Sequence, residues 1–183
     1  MKSKILTFSL STQTLLKEFT YIFSAALMMA ALSRISIPLQ PVPVTGQTLG
    51  VLLTGILLGR KRAAASMLIY IMMGAIGLPV FANGAFGIAQ LIGPTGGYLL
   101  GFVPAAYLMG YLGKKGWYKH VATALLSLII GTCVIFAFGV MWLANFTGWD
   151  MVLSMGVLPF LPGAAVKILI ALTLIPILRI SSK

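Results

Sequence analysis

Residues 119–145 read KHVATALLSLIIGTCVIFAFGVMWLAN. After Lys119 and His120 no charged residue appears until Asp150. A helix crossing the hydrocarbon core of a bilayer needs about 20 mostly apolar residues, and this stretch exceeds that. The rest of the chain has the same character. Hydrophobic residues make up 60% and charged residues 8% of the 183, where a soluble domain carries roughly 25% charge. So few charges cannot cover a globule of this size in water, and the chain reads as an integral membrane protein.

Working outward from residues 119–145, the pattern predicts helix 1 over Phe19–Ile37 and a short helix 2 over Thr45–Leu58. Helix 3 covers Ala63–Leu78, helix 4 Thr95–Leu112, helix 5 Lys119–Asn145 and helix 6 Pro162–Leu178. Pro38-Leu39-Gln40-Pro41-Val42-Pro43 ends the first, Gly59-Arg60-Lys61-Arg62 reads as a turn, and Pro79 stops the third. The Val80–Pro94 segment reads as an uncharged, Gly-rich loop, and Thr147–Leu161 as a long, partly helical connection. The expected fold is therefore an all-α membrane protein, a compact bundle of six transmembrane helices. Six spans use nearly the whole chain, so residues 1–183 form one domain. The short Ile5–Leu10 patch gives no cleaved signal, no internal repeat is visible, and Cys133 cannot form an internal disulfide.

The basic residues set the orientation. Lys2, Lys4 and Lys17 precede helix 1, Arg60–Arg62 separate helices 2 and 3, and Lys114, Lys115 and Lys119 separate helices 4 and 5. Arg179 and Lys183 end the chain. With six spans all of these fall on one side, and positive residues stay inside. Both termini are then cytoplasmic, and Trp117, Tyr118 and Trp149 suit aromatic belts. The net charge of +11 is scattered between apolar runs rather than gathered on one face, which argues against nucleic acid.

Chemistry is sparse. Glu18 and Asp150 are the only carboxylate side chains, and the only histidine, His120, sits in a basic turn. General acid–base catalysis needs a titratable pair within hydrogen-bond reach, and none can be assembled. No zinc-protease, nucleophile-elbow or Walker A sequence occurs, so neither an enzyme nor a cofactor or metal is expected. An intramembrane acid for proton coupling is also missing. Uphill transport would then need energy from another subunit. Lys167 stands apart, about one turn into helix 6 in an apolar run. Such a charge faces a cavity or snorkels to the headgroups, and the adjoining Pro162-Gly163 favours the cavity. With Gln47, Asn83 and Tyr98 it makes a polar set within an apolar pocket.

Three segments carry a resemblance. Ile35-Ser36-Ile37-Pro38-Leu39 with Pro41-Val42-Pro43-Val44-Thr45-Gly46-Gln47-Thr48 is the first. Gly74–Asn83 followed by Gly93-Pro94-Thr95-Gly96-Gly97-Tyr98-Leu99-Leu100-Gly101-Phe102 is the second, and Pro159-Phe160-Leu161-Pro162-Gly163 with Lys167 is the third. In order and spacing they resemble the BioY family, the biotin-binding S components of energy-coupling factor (ECF) transporters. The resemblance implies a six-helix membrane fold binding biotin from outside, in a bacterial plasma membrane. It also implies partners, a transmembrane coupling protein and two ATPase subunits. It further implies that an Ala-x-x-x-Ala stripe of helix 1, here Ala26 and Ala30, meets the coupling protein. The chain departs from the family pattern at Ala164, where an aspartate is usual. That aspartate would share a helix face with Lys167 and accept hydrogen bonds from ligand N–H groups. The alternatives are an S component for another vitamin or a solitary biotin facilitator, with a passive small-solute pore or a membrane enzyme behind them.

Overall fold

The structure is a computed structural model and describes residues 12–180. Lys2, Lys4, the Ile5–Leu10 patch and Lys183 lie outside the described residues. The elements run α1 (Thr12–Ser33), a two-residue β1 (Ser36–Ile37) paired antiparallel with β2 (Val44–Thr45), then α2 (Gln47–Ala75). A single 3₁₀ turn (Ala82–Gly84) and a short α3 (Ile88–Ile92) lead to α4 (Gly96–Lys114). A second 3₁₀ turn (Trp117–Lys119) leads to α5 (Val121–Thr147). After it come α6 (Trp149–Gly156), a third 3₁₀ turn (Leu158–Phe160) and α7 (Leu161–Ile180).

The α2 run is two spans, not one. Gly59 takes φ 74°, ψ 170° inside it, a conformation closed to most L-residues, and the chain reverses there. Arg60–Arg62, expected as a turn, are already helical beyond this single hinge. α4 packs against the hinge at close range, because a Cβ placed on Gly110 would sit 2.2 Å from the Arg60 nitrogen. Counting α2 as two, six long helical segments build an all-α membrane protein. α2 packs mainly on α4 and α1, and α4 on α5.

Local chemistry shifts several boundaries from those the sequence predicts. Helix 1 starts at Thr12 rather than Phe19 and ends at Ser33 rather than Ile37. Ser36 and Ile37 instead pair with Thr45 and Val44, since Pro38 cannot continue a helix. Tyr118 is no belt residue. It is 8% exposed and its hydroxyl donates to the Met109 carbonyl, and burial raises its phenol above the ordinary range. Trp149 is 70% exposed, as a belt position requires.

Length and mean hydropathy alone mark three stretches as able to cross a membrane: Leu15–Ser33, Val121–Thr147 and Trp149–Ile177. The other crossings are shorter or carry charge. The part of α2 before Gly59 has about 12 residues and so spans about 18 Å, against roughly 30 Å of hydrocarbon. The irregular 38–46 segment adjoins this short span; Val42 and Val44 anchor it in the core, while Pro38, Leu39 and Gln40 are exposed.

The two ends of the bundle differ. At one end Glu18 of α1 accepts a bidentate hydrogen bond from Arg62, and the 56–60 hinge borders the 113–119 turn. Leu53 of α2, Tyr118, Leu128 of α5 and Ile175 of α7 share one buried cluster near this end. The Arg60–Arg62 and Lys114–Lys119 groups and the ends of α1 and α7 therefore gather together. At the other end lie the irregular segments and a cavity.

Ala26 has 0% exposure and belongs to the main core with Met29, and Ala30 packs on that core. The stripe expected to face a partner thus lies largely inside the protein's own bundle. Small side chains here let α1 approach the bundle closely. The outward face of α1 instead carries residues such as Leu27 and Ala31.

Candidate ligand-binding site

The 38–48 segment, residues 81–95, the first turns of α4, the middle of α5, Phe160 and Lys167 enclose a cavity of about 450 Å³. Gln47, Asn83, Tyr98 and Lys167, separate in sequence, all line it.

The two-stranded ribbon is the anchor. Lys167 of α7 donates to the Thr45 carbonyl and to Thr48 Oγ1, the latter at 2.8 Å. Directly across the ribbon from Thr45 is Ser36, whose hydroxyl donates to Asn83 Oδ1 at 2.6 Å. Asn83 sits at φ 56°, a left-handed conformation that asparagine tolerates better than most residues. This bends its loop over the ribbon and leaves the amide NH₂ group unspent on Ser36. Arg34, the other cation at this end, donates to the Pro79 carbonyl and does not line the cavity.

Gln47 is 3% exposed. Its Oε1 accepts from Thr45 Oγ1 at 2.9 Å, and its Nε2 donates to the Tyr70 hydroxyl. Tyr70 in turn donates to the Val80 carbonyl at 3.0 Å. The relay ties the start of α2, its second half and the 79–85 loop into one piece. Gln47 therefore positions the wall and has one N–H left for a ligand.

Tyr98 presents its ring rather than its hydroxyl. The O–H donates to the Gly156 carbonyl at 2.7 Å, and the ring stacks on Phe160 with centroids 5.8 Å apart. Phe136 meets Phe160 edge-on, so this side of the cavity is aromatic.

The Gly93–Tyr98 string has a packing reason. A Cβ on Gly97 would lie 2.2 Å from the Cβ of Trp142, and the Trp142 indole donates to the Gly93 carbonyl at 2.9 Å. Glycine lets α4 enter tightly against α5, which sets the depth of the cavity.

Four residues escaped the sequence reading: Thr45 and Thr48, which hold Lys167, Ser36, which holds Asn83, and Tyr70, which holds Gln47. Tyr70 carried a faint signal, a lone phenol in an otherwise apolar helix that must find a partner when buried. The threonines carried none, because their value lies in where α7 meets the ribbon.

One ammonium, neutral amides and an aromatic wall can bind a small molecule without transforming it. Within an all-helical membrane bundle, that makes the protein a membrane-embedded solute-binding protein of the transporter class. The chain belongs to the BioY family, which matches it over residues 1–182. A Thermotoga maritima protein named biotin transporter BioY is 40% identical over 152 residues, covering 82% of this chain and 87% of its own length. The biotin transporter BioY of Rhizobium etli is 36% identical over 161 residues, covering 83% and 86%. The crystal structure at 2.1 Å of the S-component for biotin from an ECF-type ABC transporter superposes with a TM-score of 0.81. It is 25% identical, and the match covers 96% of each chain.

Proposed function

We propose that this protein takes up biotin, as the substrate-binding subunit of an ATP-driven ECF transporter in a bacterial plasma membrane. The observation that carries the reading is the convergence of Lys167, Asn83, Gln47 and Tyr98 on one cavity of about 450 Å³. That volume falls within the roughly 300–1,000 Å³ of small-molecule sites. The polar groups are few and directional, and the walls are aromatic and aliphatic, which suits a ligand with a polar ring system and an aliphatic arm.

The coupling half of the proposal rests on what the chain itself carries. It has two carboxylate side chains, Glu18 and Asp150, and neither lines the cavity. Proton-coupled carriers place acids or histidines along their path. The work of uphill transport then falls to an ATPase-bearing module reached through a transmembrane coupling protein.

Calorimetric titration of the detergent-solubilised protein tests the ligand. Saturable 1:1 binding of biotin, with no heat from thiamine or riboflavin, is expected. Equal affinity for all three would sink the reading. A charge-assisted contact is worth about 1.5–3 kcal/mol, so Lys167→Ala should weaken biotin binding by about ten- to a hundred-fold. In proteoliposomes, accumulation should require both the module and ATP. Uptake by this chain alone that stops at equal concentrations on the two sides would identify a solitary facilitator.

A further inference from the structure

We infer that the cleft at the basic end of the bundle, between the Gly59 hinge of α2 and the turn from α4 to α5, binds the headgroup of an anionic phospholipid. It is separate from the ligand cavity among the irregular segments at the other end. It does not depend on what that cavity holds.

The cleft has a volume of about 580 Å³. Arg60 of the hinge and Lys114, Lys115 and Lys119 of the turn line it. Its floor is mostly backbone. Gly110 sits against the hinge, where a Cβ would come 2.2 Å from the Arg60 nitrogen, and a Cβ on Gly113 would lie 2.6 Å from the Tyr118 ring. Tyr118, whose hydroxyl donates to the Met109 carbonyl, packs there as a fixed support. Gly116 at φ 82° turns the chain back, so lysines from both sides of the turn border one space.

Four cations meet here without an acid. The chain has two carboxylate side chains, Glu18 and Asp150. Glu18 is bound by Arg62, and neither lines the cleft. What the described residues offer the cations is aromatic: Lys115 lies 4.8 Å from the Tyr111 ring centroid and Arg60 lies 5.9 Å from that of Tyr107. Such contacts are weak at exposed sites and leave the charge uncancelled. Like charges gathered round one volume repel, and a shared anion between them removes that repulsion. A phosphate diester supplies the charge together with oxygens that lysine and arginine bind strongly.

The rest of the lining favours a lipid over free phosphate. Ile56, Leu57 and Leu58 form the apolar side of the cleft, and Leu57 is 44% exposed. Tyr107, one turn before Tyr111 on α4, is 43% exposed. Both belong to membrane-spanning segments, so their outward surfaces meet hydrocarbon. A headgroup held by the cations therefore has an apolar surface beside it for its acyl chains. The depth agrees, because a hinge and an interhelical turn lie where helices leave the bilayer. The positive-inside rule puts this end in the cytoplasm, and basic pockets between transmembrane helices on that side hold anionic headgroups. A diffuse attraction to the leaflet would involve every exposed cation there. Lys61 is also exposed at the hinge but does not line the cleft.

The test is native mass spectrometry of the full-length protein in detergent. It is titrated with dioleoylphosphatidylglycerol or with dioleoylphosphatidylcholine, which has the same chains and no net charge. Wild type is expected to retain one phosphatidylglycerol, about tenfold more tightly than phosphatidylcholine. Lys114→Ala combined with Lys119→Ala should weaken that lipid by about ten- to thirtyfold and leave the melting temperature of the lipid-free protein unchanged. Lys61→Ala should change it by less than about twofold, and millimolar inorganic phosphate should not displace it. Equal retention of the two lipids by wild type, a comparison that needs no variant to fold, would overturn the inference. A loss in Lys61→Ala as large as in the double variant would reduce the effect to diffuse surface charge. Displacement by inorganic phosphate would make the cleft a free-phosphate site instead. Phosphatidylglycerol held undiminished by the double variant would also refute the assignment, and loss of co-purification with the ATPase-bearing module would then give the cleft to a protein partner.

Discussion

Lys167 has its weight because of what surrounds it. The same side chain at a helix end in contact with headgroups would snorkel and contribute little. Here the Thr45 carbonyl and Thr48 hold it toward the cavity. Tyr70 plays the supporting part on the opposite wall. It is 0% exposed, and its hydroxyl accepts from Gln47 and donates to the Val80 carbonyl. Tyr70→Phe strips an acceptor from one buried group and a donor from another. Leaving such groups unpaired costs about 1–3 kcal/mol each. A fall of several degrees in the apparent melting temperature in detergent is expected, together with weaker ligand binding as Gln47 loses its orientation. A melting curve identical to wild type would show that water replaces the phenol without loss.

At the level of elements, α1 decides how the stripe of small residues is used. Ala26 is enclosed in the main core, where enlarging a side chain costs about 1–3 kcal/mol or more. Ala26→Trp is therefore expected to reduce folded yield and abolish biotin binding together. Ala31→Trp, on the exposed side of the same helix, should leave binding intact. If α1 is the docking element for a coupling protein, the second variant blocks co-purification with the ATPase-bearing module and the first never reaches that stage. Ala26→Trp protein that folds and binds ligand normally would return the buried stripe to the partner interface. The short first half of α2 is the other decisive element. It is only about 12 residues long, and the proline-rich segment that precedes it, anchored by the buried Val42 and Val44, forms one wall of the site.

The whole molecule has a polarity that its charges dictate. Arg62, Lys114, Lys115 and Lys119 lie at the end where α1 begins and α7 finishes, and the cavity opens among the irregular segments at the other end. The positive-inside rule then assigns the cavity to the outer face. Single cysteines introduced into a Cys133→Ser background test this in intact cells. A cysteine at Lys115 should resist a membrane-impermeant maleimide, and one at Phe86, which is 58% exposed in the 81–88 loop, should react. Labelling at Lys115 would invert the topology and put the site on the cytoplasmic side.

The sequence by itself determined the class of fold, the number of crossings and the side on which the basic turns gather. Those follow from one-dimensional quantities: the length of apolar runs, the places where proline and glycine interrupt them, and the distribution of lysine and arginine. It also marked Lys167, because a cation in an apolar helix is conspicuous without coordinates. Only the tertiary structure decided that Ala26 faces inward, since a helix of nearly uniform hydrophobicity has no polar face to reveal its orientation. The same holds for the partners of the site residues. Thr45 with Lys167 and Ser36 with Asn83 are separated by 122 and 47 residues, and they meet through a ribbon of two-residue strands too short to carry any periodic signal. The cavity itself comes from the segment anchored by the buried Val42 and Val44 and from glycines that let α4 close on α5. Those are properties of packing that no single stretch of the chain contains.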